Sequence, residues 1–594
     1  MGGKNGDYNG WTREDLVKEI EALRKQKTYG LVWEQDKIKE KFDYYINWDG
    51  IKTKETFTDA NHKFPVLKSI LSNDVVTNQA IESNVLIEGD NYHALAVLNF
   101  THSESVDIIY IDPPYNSGTG DKFIYNNKIV DDEDSYRHSK WLSFMSKRLR
   151  LAKNLLKKDG VMFISINDAE QAQLKLLCDD VFNAENYVGM LIWKNKAGGG
   201  GKQNPNKPTE EVLKKEAFVV DHEYVLVYAK NIQFIQRFEE ALTEDELKSY
   251  KNPDNDSRGV YKLKDLEQSI PTPIRTMYYP IKDPDGKEIR PKGGRYQWRF
   301  SESRAKEEFE NKTIVWHKIN CKKEKDQRGY YYRPMVKQFL NAFGKERTKI
   351  MRSVLYNMFY TQDGTREIRD IFGEDGGKAI FNYPKPTILI EYLLKNTAKK
   401  SPLILDFFAG SGTTGHAVLE LNKQDGGNRK FILCTNNESN ICTDVCLPRM
   451  KKAIKGYTNL KGSKINGLGG NLKYFKTDFV DSSPTDANKR KIVEKSTEML
   501  CLKENSFSPV LEKDGFKIFK SPKTFMGIIF DEEKIGDFVK EVQKIPGKFN
   551  VYVFSFDDSV PESEFKSIKS RVKLRPIPEV ILHVYRRIFK YDYS

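Results

Sequence analysis

The run Val106–Ile111 is apolar except for Asp107 and ends on Asp112-Pro113-Pro114-Tyr115. A segment this continuously apolar suits a strand buried on both faces, as in a parallel sheet. Two adjacent prolines fix the backbone and remove two N–H donors, so the strand must stop there. Parallel neighbours need crossover connections, usually helices, and the flanking sequence supplies them. Short apolar runs at 85–87, 161–166, 187–193, 224–228, 403–405 and 431–434 read as six further strands. Between them lie helical patterns: one through Ala94, Val97 and Leu98, one over 139–157 with Trp141, Met145, Leu149, Ala152 and Leu156 on one face, and one at 387–394. The expected fold is α/β, with a seven-stranded sheet.

The alternation breaks between about 230 and 375, where Lys, Arg, Tyr, Asn and Pro dominate short irregular patterns. That stretch reads as an inserted domain. With 594 residues the chain has room for several domains. The divisions expected are 1–84, an N-terminal region whose helix spans 12–28 with Thr12 as N-cap; 85–230 and 376–480, the two halves of the α/β core; 231–375, the insert; and 506–594, a small separate α/β unit. Gly198 to Gly201 read as a flexible connector. The six cysteines are scattered, and Cys442 and Cys446 have no partners nearby to complete a zinc site, so neither disulfides nor a metal are expected. No apolar run is long enough to span a bilayer, and residues 1–10 lack the apolar core of a signal peptide. A cytoplasmic protein is expected.

Two loops carry chemistry. Asp112 lies at the carboxyl end of a strand, where open α/β sheets place their ligands. An acceptor side chain, a rigid backbone rich in free carbonyls and an aromatic ring suit an exocyclic amine on a planar ring. Asp112 and the Pro113 carbonyl would each accept one N–H, and Tyr115 would stack. The second loop, Asp406-Phe407-Phe408-Ala409-Gly410-Ser411-Gly412-Thr413, follows a strand and opens a helix. Its glycines let the backbone approach a ligand. It has no Lys after Gly412, so it is not a P-loop, and no third glycine to make the dinucleotide fingerprint.

Together these loops resemble the S-adenosylmethionine-dependent amino-methyltransferases of DNA. In that family an Asp-Pro-Pro-Tyr tetrapeptide binds a flipped adenine and a Phe-x-Gly-x-Gly loop, here Phe408 to Gly412, binds the methyl donor. The tetrapeptide precedes the cofactor loop by 294 positions (406 minus 112). This is the circularly permuted motif order of the β class, whose target-recognition domain lies between the two. The resemblance implies a Rossmann-like methyltransferase core, with Asp90 reading the cofactor's adenine and Lys385 in Asn382-Tyr383-Pro384-Lys385-Pro386 meeting its methionine carboxylate. His222-Glu223-Tyr224 is also similar to the family. An acid for the cofactor ribose is usual after the strand at 431–434. Here Thr435 stands in its place, and Thr435, Asn437 or Glu438 remain as alternatives.

Further stretches resemble the modification (Mod) subunits of Type III restriction–modification systems: residues 27–34 (KTYGLVWE), the run from Ile87 to Trp141, residues 252–259, and Arg575-Pro576-Ile577-Pro578-Glu579. That implies N6-adenine methylation of double-stranded DNA, a homodimer, and a helicase/endonuclease (Res) partner. Alternatives are a solitary adenine methyltransferase, an N4-cytosine enzyme, or a non-enzymatic DNA-binding scaffold. The net charge of +13 fits a polyanionic partner. Cations interleaved with aromatics in the insert mark the expected DNA contacts: Arg295, Trp298, Arg299, Lys322, Lys323, Arg328, Tyr331 and Arg333.

Overall fold

A computed structural model describes residues 63–116, 137–197, 220–322, 326–342, 344–356, 358–373 and, with short breaks at 382, 398, 400, 482–485, 556–559 and 578–580, residues 381–581. The expected N-terminal helix, the four-glycine connector, Lys323 and Asn382 lie outside these residues.

The chain builds β1 (Lys63–Ser69), β2 (Asn84–Glu88), α1 (Asn91–Thr101), β3 (Val106–Ile111), α2 (Arg137–Leu155), β4 (Leu156–Ile166), α3 (Gln171–Phe182), β5 (Tyr187–Lys194) and β6 (His222–Ala229). After the insert it resumes with β7 (Val354–Leu355), α4 (Thr361–Phe372), α5 (Thr387–Lys395), β8 (Leu403–Asp406), α6 (Thr413–Asp425), β9 (Lys430–Thr435), α7 (Leu447–Lys455) and β10 (Leu472–Asp481). One ten-stranded sheet runs β1-β10-β2-β9-β8-β3-β4-β6-β5-β7. The seven strands read from the sequence form its contiguous middle, β2 to β5. Three more extend it. β10 and β1 add beyond β2, and β7 pairs parallel to β5 at the far edge. The sequence pattern does not show these three because β1 and β10 mix polar with apolar residues and β7 has only two residues; β1, for example, carries charge at Lys63 and Lys68.

The expected helix over 139–157 runs two residues earlier, and the chain passes directly into β4 at Leu156. Asp159-Gly160 does not stop a helix. It lies in an irregularity of β4, between the pairings Val106↔Leu156 and Ile108↔Val161.

The middle of the sheet, β2-β9-β8-β3-β4, is parallel throughout. β3 leads through α2 to β4 on one side, and β8 leads through α6 to β9 on the other. The direction of winding therefore reverses between β3 and β8. Loops leaving the carboxyl ends of two such strands diverge and open a crevice, the usual ligand site of an open α/β sheet. Asp112 and Asp406 sit at those two ends.

The C-terminal stretch forms a five-stranded sheet in sequential order, from Ser508–Lys513 to Val572–Ile577. It is not separate. Residues alternate along its strands: Phe516, Ile518, Val551 and Val553 pack on the helix Ile535–Lys544. Phe519, Met526, Ile528 and Tyr552 join the core of the large sheet instead.

Residues Arg237–Met351 form a second compact unit, narrower than the insert expected at 231–375. The difference arises because Val354-Leu355 pairs with β5 and α4 packs against the Pro384-Lys385 backbone. A Cβ at Gly364 would lie 2.3 Å from the Pro384 carbonyl oxygen, so only glycine permits that approach. The second unit has a three-stranded antiparallel sheet of Tyr261–Asp265, Ile314–Asn320 and Tyr330–Phe339. Its small core includes Leu266, Tyr279, Trp298 and Ile314.

Candidate active site

The Asp112–Tyr115 loop is pinned from α2. Trp141, fully buried, donates its indole N–H to the Pro114 carbonyl at 2.7 Å. Asn116, in the left-handed region at φ 54°, donates to Glu170, which also holds His138 at 2.8 Å. Among the described residues the Pro113 carbonyl has no such donor, which leaves it available to a ligand.

Around Asp112 the structure gathers side chains distant in sequence. The Lys385 ammonium donates to both Asp112 carboxylate oxygens, at 2.9 and 3.0 Å, and to the Tyr115 hydroxyl at 2.7 Å. The Tyr115 hydroxyl in turn donates to Glu223 at 3.1 Å, and Asn195 donates to the other Glu223 oxygen at 2.9 Å. Burial raises the Asp112 carboxyl above its ordinary range, an effect the Lys385 charge opposes. Burial alone would lower the Lys385 ammonium, but the Asp112 and Glu223 carboxylates outweigh it and hold it raised. The sequence reading places Lys385 toward the cofactor's carboxylate; the structure places it on the Asp112–Tyr115 loop. Glu223, noted only for its resemblance, belongs to the same cluster.

The loop from Asp406 to Thr413 is shaped from within. Asp406, 3% exposed, accepts from the Phe408 backbone N–H at 3.0 Å and from the Thr414 hydroxyl at 2.5 Å. Its two oxygens therefore bind the loop rather than face the crevice. Phe407 is fully buried in the core, and Ala409 is buried as well. Gly412 takes φ 82° at the start of α6, and Gly410 takes φ 49°. Pro386 occupies the corresponding N-cap position of α5. Ser411 and Thr413 turn their hydroxyls inward to Arg449 of α7, at 3.0 and 2.9 Å. Arg449 is completely buried and also donates to the Thr387 hydroxyl and Glu367, at 3.1 and 3.2 Å. Sequence reasoning missed it. The available signal was a charged residue within the apolar stripe of α7, which Met450, Ala453 and Ile454 continue.

What remains open to a ligand is Phe408, Gly410 and the wall beside them. Phe408 lies 6.0 Å from the Phe144 ring, over which the Arg148 guanidinium stacks at 3.6 Å. Arg148 pairs with Asp90, which also caps α1 by accepting from the Tyr92 N–H at 2.7 Å. Of the ribose alternatives, Asn437 is occupied by Thr443 and Thr435 is buried, whereas Glu438 is exposed. An aromatic wall, glycine backbone and a nearby carboxylate fit an adenosyl group. Among the described residues no cluster of three or more His, Cys, Asp or Glu is placed to hold a metal, and no helix is long and apolar enough to cross a membrane.

Burial pushes the Asp406 carboxyl up to about 7, from an ordinary 3.8. A raised acid favours the folded state below its unfolded pKa, and that contribution is lost as pH rises through the folded value. Stability should therefore fall between about pH 4 and 7. Asp406→Asn should flatten the fall, measured as melting temperature against pH. An unchanged slope would remove Asp406 as its source.

In the second unit the expected DNA contacts divide. Trp298 is 2% exposed and donates to the Tyr279 carbonyl at 2.8 Å. It is core, not a stacking platform, because it is buried with Leu266, Tyr279 and Ile314. Arg328 is held by Asp283, Asp285 and Asp326 at 3.0, 2.7 and 3.1 Å, so three carboxylates already satisfy its guanidinium. Arg299 bonds the Asp265 carbonyl and Gln268, and Arg333 pairs with Asp265 at 3.3 Å. Arg295 and Lys322 are exposed. Tyr331 lies on the face opposite Tyr330 and Tyr332, whose rings flank Lys318 at 3.7 and 6.0 Å. Residues 252–259 are a structural knot: Asp254 and Asp256 clasp the buried Lys337.

A profile for "DNA methylase" matches residues 106–444, and one for "D12 class N6 adenine-specific DNA methyltransferase" matches residues 34–173. The Type III restriction-modification enzyme StyLTI Mod subunit of Salmonella typhimurium is 33% identical over 62% of this chain and 56% of its own. The EcoPI Mod subunit of Escherichia phage P1 is 32% identical over 67% of this chain and 64% of its own. The chain thus spans about three-fifths of those two relatives. The Type II methyltransferase M.KpnI of Klebsiella pneumoniae is 31% identical over 66% of this chain and 89% of its own. A DNA modification methylase of Thermus thermophilus, solved with S-adenosyl-L-methionine, aligns at 13% identity over 66% of this chain and 99% of its own, with a TM-score of 0.29. With a profile that spans more than half of its length and holds both loops of the crevice, the chain belongs to the N6/N4 DNA methylase family.

Proposed function

We propose that the protein methylates N6 of an adenine extruded from double-stranded DNA, using S-adenosylmethionine, as a modification subunit of the Type III kind. The observation that carries this is the meeting of Asp112, Tyr115 and the Phe408–Gly412 loop at one switch point of the sheet. N6 is inaccessible inside a duplex, so the base must be flipped out. Asp112 and the Pro113 carbonyl accept its two N–H bonds, and the Tyr115 ring lies against the base. Holding both N–H bonds draws the nitrogen lone pair out of conjugation. Phe408, Gly410 and Asp90 hold the cofactor, which supplies a methyl group on a positively charged sulfur. The remaining work is positioning, worth up to about 7–11 kcal/mol in favourable cases. The methylated nitrogen is cationic and sheds its proton readily. Asp112, its carboxyl raised by burial, is the adjacent acceptor.

We assign target recognition to the Arg237–Met351 unit, whose exposed Arg295 and Lys322 and the Lys318–Tyr330–Tyr332 face suit phosphates and bases. A dimer and a Res partner follow only by analogy with the Mod relatives. The 89% coverage of M.KpnI favours a second reading, a methyltransferase that acts without a nuclease partner. Incubation with labelled S-adenosylmethionine and DNA, followed by digestion to nucleosides, should yield labelled N6-methyladenine. Label in N4-methylcytosine, or none, would overturn the proposal.

A further inference from the structure

Lys385 stands where the target amine would stand. Its ammonium bonds both oxygens of Asp112 and the Tyr115 hydroxyl, lies 3.3 Å from Glu223, and sits 4.8 Å from the Tyr115 ring centroid. A second nitrogen donating to Asp112 beside the same ring would have to occupy that space. The side chain is 9% exposed, so the contact belongs to the interior of the site.

We propose that Lys385 is an internal stand-in for the target's amino group. It leaves Asp112 only for the carboxylate of a bound cofactor, so that base insertion waits on cofactor binding. The proposal rests on the methyltransferase reading above and adds the order in which the site fills.

The physical argument is one of charge. Moving a buried ammonium away from two carboxylates without a new anion leaves it unpaired, which is strongly disfavoured. A neutral adenine cannot offset that. S-Adenosylmethionine carries one anionic group, its carboxylate, and bound at the neighbouring loop it offers the replacement.

The local structure confines the motion to the side chain. Pro384 and Pro386 flank Lys385 and restrict its backbone. Gly364 packs against the Pro384 and Lys385 carbonyls, and Glu367 accepts the Thr387 N–H at 3.1 Å. The receiving groups are already held: Glu223 keeps Asn195 and the Tyr115 hydroxyl when the lysine departs, so the ring stays in place.

The test needs the methylated site, read by modified-base sequencing of DNA treated with the protein. A duplex carrying that site, with 2-aminopurine beside the target adenine, reports flipping by fluorescence. Saturating S-adenosylhomocysteine should raise the flipped fraction about tenfold or more. Saturating 5′-methylthioadenosine, which lacks the carboxylate, should not. Equal effects of the two, or full flipping with neither, would overturn the proposal. In Lys385→Met, flipping should no longer depend on S-adenosylhomocysteine, whose affinity should fall while that of 5′-methylthioadenosine holds. A wild-type pattern in this variant would equally overturn it. If the variant does not fold, the two wild-type arms still decide. Absence of any N6-methyladenine would instead remove the methyltransferase reading itself.

Discussion

Asp112→Ala is expected to slow methyl transfer by about 10³-fold or more, while cofactor affinity rises, because Lys385 no longer has to leave Asp112, and melting temperature stays near that of the parent. The rate loss follows from the role proposed for Asp112, that of a side-chain acceptor for the target nitrogen. Removing a single preorganised hydrogen-bonding group from a site of this kind costs about 10²–10³ in rate. Here the loss includes the alignment of the lone pair as well. Stability should not fall, because the cluster holds two carboxylates, Asp112 and Glu223, against one ammonium. The substitution leaves Lys385 paired with Glu223 and removes a carboxylate that burial already disfavours. Asp112→Asn keeps the shape and one acceptor, so its loss should be smaller. Single-turnover transfer to DNA, with calorimetric binding of S-adenosylhomocysteine, measures both quantities. Transfer within tenfold of the parent would remove Asp112 from the reaction.

Arg449→Met should have the largest structural effect, destabilising the fold by roughly 2–4 kcal/mol and weakening cofactor binding by about tenfold or more. The guanidinium is fully buried, and burial works against its charge. It persists there because it joins three elements: the Ser411 and Thr413 hydroxyls of the glycine loop, Thr387 of α5, and Glu367 of α4. Glu367 is 27% exposed, so water can partly compensate it, which places the cost below that of a fully enclosed pair. The hydroxyls of Ser411 and Thr413 would lose their donor and let the loop between them relax. Arg449→Lys should recover part of both effects, since an ammonium cannot reproduce the planar fork of donors. Cofactor affinity equal to the parent in a folded Arg449→Met would show that the loop keeps its shape without this residue. Thermal denaturation and calorimetric titration read the two effects separately.

The limits of sequence reading here follow from range. In sequence, Trp298 and Arg328 read as DNA contacts because an aromatic and a cation in a basic stretch look alike whether exposed or buried. What separates them is the closing of a core over Trp298 and the arrival of Asp283 and Asp285 beside Arg328, more than forty positions earlier in the chain. Through its motif, Lys385 points by resemblance to the cofactor. Its partners, Asp112 and Glu223, lie 273 positions before it in one case and on a different strand in the other. The C-terminal sheet looked independent because its own alternation is complete; only its contact with the large core shows that both faces are used.

By itself the sequence determined what depends on local pattern: seven strands from their apolar runs, the stop at Pro113-Pro114, the glycine loop opening a helix, and the order of the two loops. Adjacent positions supply all of these, because backbone restriction and hydrophobic periodicity act over a few residues. The tertiary structure alone decided which side chains meet. It set β3 beside β8, drew Lys385 and Glu223 to Asp112, and buried Arg449 beneath the glycine loop. Ion pairs and burial are settled by distance in space, and the parallel sheet joins residues hundreds of positions apart.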